Sequence, residues 1–195
     1  MRGLLGVAAF LVSLSTVPVV RAETVSAEAL LAGLQPLCGK AFAGRVVAAG
    51  SNDAAFADKP LVMHVRECGE GEVKIPFHVG DDRSRTWVLT RTSDGLRLKH
   101  DHRHKDGTPD GVTLYGGDSR SDGTATRQEF PADDYSRTLF TAHGLPEAAQ
   151  QNVWAVELRP GQEFVYELSR PGRLFRVSFD LTQPVPVPPT PWGQQ

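Results

Sequence analysis

Apolar and polar residues alternate along much of the chain with a period of two. In EVKIPFHV, Val73, Ile75, Phe77 and Val79 fall on one face, and Glu72, Lys74, Pro76 and His78 on the other. The pattern repeats with Trp154, Val156 and Leu158 in VWAVEL, and with Phe164, Tyr166 and Leu168 in FVYEL. It repeats again with Phe175, Val177, Phe179 and Leu181 in LFRVSFDL. Such alternation marks strands with one dry face and one wet face. Turn signals separate them: SDG at 93–95 and 121–123, KDG at 105–107, RPGQ at 159–162 and RPGR at 170–173. About ten strands follow from this spacing, mostly in a meander. Adjacent antiparallel strands with one apolar face bury those faces most simply by closing on themselves. The pattern therefore predicts an all-β protein, an antiparallel up-and-down β-barrel.

Two segments break the period. VSAEALLAGLQPLCG predicts a short N-terminal helix, with Ser26 as its N-cap and Pro36 as its limit. PADDYSRTLFTAHGLP predicts one helical insertion near 133–143, capped by Asp133, with Tyr135 and Leu139 one turn apart and a stop at Gly144 and Pro146. The last residues, 184–195, are Pro-rich and are expected to be extended and largely unpacked. The alternative is that Trp192 folds back onto a barrel mouth.

Residues 1–22 read as a secretory signal: Arg2, an apolar core over 3–20, and small residues at Val20 and Ala22 before cleavage. That leaves one domain over 23–183. Loss of Arg2 and Arg21 takes Lys+Arg from 21 to 19 against 23 Asp+Glu, a net charge of −4 with neutral histidines. This balance argues against a nucleic-acid partner. No other stretch is long and apolar enough to span a bilayer, so a periplasmic or secreted, monomer-sized protein is expected. In that compartment the two cysteines, Cys38 and Cys68, read as a disulfide. If 41–48 pairs with 61–68 so that Ala48 faces Leu61, Cys68 falls opposite Ala41, three residues from Cys38.

The candidate chemistry lies in LKHDHRHKDG, where His100, His102 and His104 occupy every second position. Treating Asp94-Gly95 as a two-residue type I′ hairpin loop sets Arg91 opposite Leu98, Leu89 opposite His100, Trp87 opposite His102 and Arg85 opposite His104. One face then carries Trp87, Leu89, Leu96, Leu98 and all three histidines, and that face points inward. The interior grades from apolar to polar, as a ligand pocket in a barrel mouth does. Trp87, His100, His102 and His104 are the pocket candidates, with Arg85 and Arg91 as anion partners. By this reading His100 and His102 are shielded and His78 is open to solvent. A metal site of zinc or copper is the second reading of the same histidines. Residues i and i+2 on a strand lie about 6.7 Å apart and i and i+4 about 13 Å. Two neighbouring imidazoles can therefore share an ion, but three on one straight strand cannot, and further ligands must come from elsewhere.

Several motifs have partial matches. YGGDSRSDG echoes the GDS block of GDSL-type hydrolases at Ser119, but in a β context and without a following DxxH; as plain structure it is a turn. GLRLKHDHRHKD resembles the first cupin motif, with Gly95, His100, His102 and Asp106, though the second motif is missing. PLCGKAFAGRVV, FHVGDDRSRTWVLTR, LKHDHRHKDG and FRVSFDLTQPVP together resemble a family of secreted proteobacterial proteins, which implies export and carries no site. The short helix, the entry at Gly39, Phe42 and Gly44, and the meander are similar to calycin (lipocalin-like) barrels, although the Trp that lipocalins place after the first Gly is missing. Taken together, these residues lead us to expect an exported small-molecule-binding β-barrel. The alternatives are a metal-binding or cupin-like metal-dependent protein, and a non-catalytic cell-envelope protein that works through its loops and tail.

Overall fold

Each period-two segment forms a strand, and pairing follows chain order almost throughout. The structure, a computed structural model, describes residues 22–56, 58–120 and 123–194; the expected signal segment lies outside them apart from Ala22. Eleven strands form one sheet: β1 (Ala41–Ala48), β2 (Leu61–His64), β3 (Glu67–Cys68), β4 (Glu72–Val79), β5 (Asp82–Arg91), β6 (Leu96–His102), β7 (Tyr115–Asp118), β8 (Arg127–Pro131), β9 (Val153–Arg159), β10 (Glu163–Arg170) and β11 (Arg173–Val185). Neighbours are antiparallel, in the order β7, β6, β5, β4, β2, β1, β11, β10, β9, β8, with β3 paired to β4 beside this path. The first strand thus pairs with the last, and the barrel is closed except for a seam between β7 and β8.

That seam is narrow. The Asp133 N–H donates to the Gly116 carbonyl at 2.9 Å, and the Arg120 N–H to the Glu129 carbonyl at 2.9 Å. Both bonds fall on one antiparallel register. Gly117 permits the approach, since a Cβ there would sit 1.9 Å from the Pro131 carbonyl oxygen; toward β6, a Cβ on Gly116 would sit 1.9 Å from the Leu98 carbonyl oxygen. GlyGly is therefore a strand here, not the turn expected of it. Ser119 continues the pairing, its hydroxyl accepting the Leu96 N–H at 3.0 Å.

The two ends of the barrel are closed differently. One end is covered by α1 (Ala22–Leu34), whose Leu30, Leu31 and Leu34 are buried in the core. Glu28 pairs with Arg91 at 2.7 Å, and Leu158 lies against Gly33. Ser26 is inside this helix rather than at its start; the α-helix gives way to a 3-10 turn, Gln35–Leu37, at Pro36 as expected. At the same end Cys38 and Cys68 form the disulfide, with Cα atoms 6.2 Å apart. The strand register that suggested it is corrected by four residues: Gly44, not Ala48, faces Leu61, and Ala41 faces His64. Cys68 reaches Cys38 from the separate strand β3.

The other end carries α2 (Asp134–Ala142). Asp133 caps it, accepting the Ser136 N–H at 2.8 Å. The buried face is Ser136 and Phe140, one residue on from the expected Tyr135 and Leu139. Ser136 sets this rotation by docking on β7, where its hydroxyl accepts the Gly116 N–H at 2.7 Å and Tyr135 is left exposed.

Two outward-facing regions are covered, which strand alternation does not reveal. Glu167 is 5 % exposed because Arg127 and Arg176 clamp it at 3.0 and 2.6 Å. His78 takes an outward strand position as expected, yet it is 3 % exposed rather than open. The Pro-rich end explains this. Rather than lying unpacked, it leaves β11 beside Ala41 and is next held on β5. There the Trp192 N–H donates to the Arg83 carbonyl at 3.1 Å, and the Gln194 amide to the Thr86 hydroxyl at 2.9 Å. Between these anchors lie β2 and β4, whose outward His64, Pro76 and His78 are all buried. Burial beneath this strap, with the charge of nearby His64 and Arg83, pushes the His78 pKa down to about 4. Trp192 folds back on the barrel wall, not on its mouth.

Candidate functional site

The β5–β6 hairpin positions the site. Arg91 faces Leu96, Leu89 faces Leu98, Trp87 faces His100 and Arg85 faces His102. The expected register is thus displaced by one residue pair. The tight loop is Ser93-Asp94, one position earlier than Asp94-Gly95, closed by the Thr92 N–H donating to the Gly95 carbonyl at 2.9 Å. Asp94 lacks the positive φ that a type I′ turn needs at its first central residue. A slip of two positions along one strand preserves its faces, so Trp87, His100 and His102 still point inward.

Above the α1-covered core the interior opens into a cavity of about 230 Å³ at the α2 end. Trp87, Trp154, Tyr115, Tyr166, Phe77 and Phe175 are among the aromatic side chains that line it. Trp87 stacks between Phe77 and Tyr166, with ring centroids 4.8 and 4.4 Å apart. His100 stacks on Tyr115 at 4.6 Å. Phe56, from the connection between β1 and β2, packs on Phe175 at 4.6 Å and contributes to the mouth.

The polar groups in this wall are bonded to one another. The acceptor-only carbonyl of Tyr115 lies 3.1 Å from His100 Nδ1, so Nδ1 carries the proton and donates. His100 Nε2 then accepts from the Tyr166 hydroxyl at 2.9 Å. His102 Nε2 meets the Tyr115 hydroxyl at 3.1 Å. Burial, reinforced by the charge His102 would carry, pushes the His100 pKa down to about 3. Burial and the Arg85 guanidinium take His102 to about 4. Burial drives Tyr115 up to about 12 and Tyr166 well above its ordinary value. At neutral pH all four are uncharged.

Arg85 reaches the cavity from β5 and pairs with Asp82 at 2.5 Å; its guanidinium lies 5.7 Å from the Phe56 ring centroid. Arg173, at the start of β11, lines the same mouth and pairs with the buried Asp53 carboxylate at 2.5 Å. Of the residues expected at the site, the structure brings Trp87, His100, His102 and Arg85 together. His104 lies beyond the end of β6, exposed, 3.9 Å from Asp110. Arg91 is at the opposite end of the barrel with Glu28. Tyr115, Trp154, Tyr166, Arg173 and Phe56 were not expected there. Arg173 had a signal: it shares strand parity with the inward Phe175 and Val177.

The side chains do not fit a metal. Both ring nitrogens of His100 and Nε2 of His102 are already engaged. Among the described residues no group of three or more His, Cys, Asp or Glu side chains is placed to hold an ion. The cupin-like Asp106 sits in an exposed turn, accepting the Thr108 N–H at 2.9 Å. Comparison with protein-family models, curated proteins and solved structures gives no match. The nearly closed antiparallel barrel is compatible with the architectural resemblance to calycin barrels, and it is the barrel that carries that resemblance.

Proposed function

We propose that this protein is an exported binding protein that holds a small molecule in the aromatic cavity at the α2 end. The observation that carries this reading is the wall itself. Eight Phe, Trp and Tyr side chains line a space of about 230 Å³, and His100, His102, Tyr115 and Tyr166 bring polar groups to its wall. Concave, mostly apolar sites with a few placed polar groups are what small ligands occupy. A barrel serving only as scaffold gains stability by filling such space with side chains. Export is supported by the signal-like N-terminal sequence and the Cys38–Cys68 disulfide. Among the described residues no helix is long and apolar enough to cross a membrane.

Native mass spectrometry of the protein purified from its own host tests this reading. The expected result is a non-covalent mass excess of an organic molecule, released on collisional heating. A mass excess equal to a zinc or copper ion would favour the metal reading instead. The bare chain mass, together with no thermal stabilisation by a library of small aromatic compounds, would contradict both.

A further inference from the structure

Among the residues lining the cavity, those charged at neutral pH are both cations. Among the described residues the lining includes Arg85 and Arg173 and no carboxylate. Their partners, Asp82 and Asp53, are not in the lining. The remaining polar residues of the lining, His100, His102, Tyr115, Tyr166 and Asn152, are neutral or neutralised by burial. Arg173 spends Nη2 on Asp53, while its Nε is buried with no hydrogen-bond partner among the described residues. A buried donor left unpaired is costly, and an acceptor atom brought by a bound molecule would complete it. Arg85 spends one Nη on Asp82. Guanidinium groups carry five donors in a planar fork, so each arginine keeps donors beyond its own ion pair.

Size limits the rest of the ligand. A dry cavity of about 150 Å³ takes up benzene. The cavity here, about 230 Å³, leaves room for one ring or two fused rings with a short substituent. A lining of eight aromatic side chains favours a planar ring, since offset-stacked and edge-to-face contacts are the preferred ones between aromatic groups.

We propose that the ligand is a small aromatic acid, its ring held among Trp87, Trp154 and Tyr166 and its anionic group at the mouth between Arg85 and Arg173. This rests on the small-molecule reading above and adds the chemical class. The two guanidiniums supply charge-assisted donors to the acid, and the neutral His100–Tyr166 pair leaves the inner wall suited to the uncharged ring.

Matched pairs of probes test the charge separately from the cavity. Benzoate is compared with benzamide, and indole-3-acetate with indole-3-acetamide, by calorimetry and by quenching of tryptophan fluorescence at pH 7. Each acid is expected to bind about tenfold or more tightly than its amide, the difference that one charge-assisted hydrogen bond supplies. Arg85→Gln should weaken the acids far more than the amides and so remove most of that preference. Arg173→Gln would leave the buried Asp53 carboxylate unpaired and threatens folding, so Arg173→Lys is the second variant: it keeps the ion pair and removes the Nε donor. It too should weaken the acids more than the amides. Amides binding as tightly as acids would overturn the acid proposal while the small-molecule reading stands. If no probe binds and none changes the fluorescence of the native protein, the cavity reading falls and this proposal with it.

Discussion

The two ends of the barrel are built from the same strands and end in opposite states. At the α1 end, Leu89, Leu96 and Leu98 meet Leu30 and Leu34, all fully buried, and a disulfide ties the entry to β1 against β3. A few residues along the same hairpin, Trp87, His100, Arg85 and His102 line open space. Strand alternation decides only which side chains face in. What the interior then holds depends on what covers each end. A leucine-rich helix fills one end; α2 contributes Phe140 to the other and leaves a cavity beside it.

The largest expected difference is in packing. Leu34→Ala at the covered end should cost about 3–5 kcal/mol, because a fully packed site cannot collapse around the space. Leu168→Ala, beside existing space, should cost about 1 kcal/mol. Urea unfolding of both variants checks this, and similar losses would erase the contrast between the ends. Replacing Cys38 and Cys68 together by serine should cost about 3–4 kcal/mol, the chain-entropy value for a loop of this length. That loss should appear in oxidised protein and vanish when wild type and variant are compared under a strong reductant.

Acid should act on the open end. His100 and His102 have folded pKa values of about 3 and 4, below the 6.5 of the free side chain, so the unfolded chain takes up protons first. Their contribution is intact above pH 6.5, falls as pH drops toward 4, and levels off once the folded imidazoles also protonate. Between pH 7 and pH 5 the loss should be about 1–2 kcal/mol per histidine, read as a falling urea midpoint. His100→Phe, which cannot protonate, should flatten part of that slope; an unchanged slope would place the acid sensitivity elsewhere, for instance at His78 beneath the strap. The smallest effect is chemical. Carbethoxylation with peptide mapping should modify the exposed His104 and His143 well before His100 and His102.

Much of this is legible in the sequence. The barrel follows from period-two alternation, and Trp87, His100 and His102 face inward because a register error of two positions leaves strand faces unchanged. The same error matters along the axis: it moved Arg85 from His104 to His102 and left His104 outside. Tyr166 and Trp154 were readable as inward residues, but nothing local indicated that they would face the histidines from across the barrel. Arg173 shared the inward parity and was hidden by its place at a turn. His78 teaches a separate lesson. Its outward direction was right and its exposure wrong, because a strap that begins a hundred residues later lies over it. Alternation reports direction, and burial depends on distant chain.

The most direct test of the account is a chemical-shift map of the isotope-labelled protein titrated with indole-3-acetate. Saturable shifts are expected at Trp87, His102, Tyr115, Tyr166 and Arg173, with Leu30, Leu34, Leu89 and Leu96 unmoved. Shifts centred on the α1 end or on the outer surface, with the cavity residues silent, would contradict it.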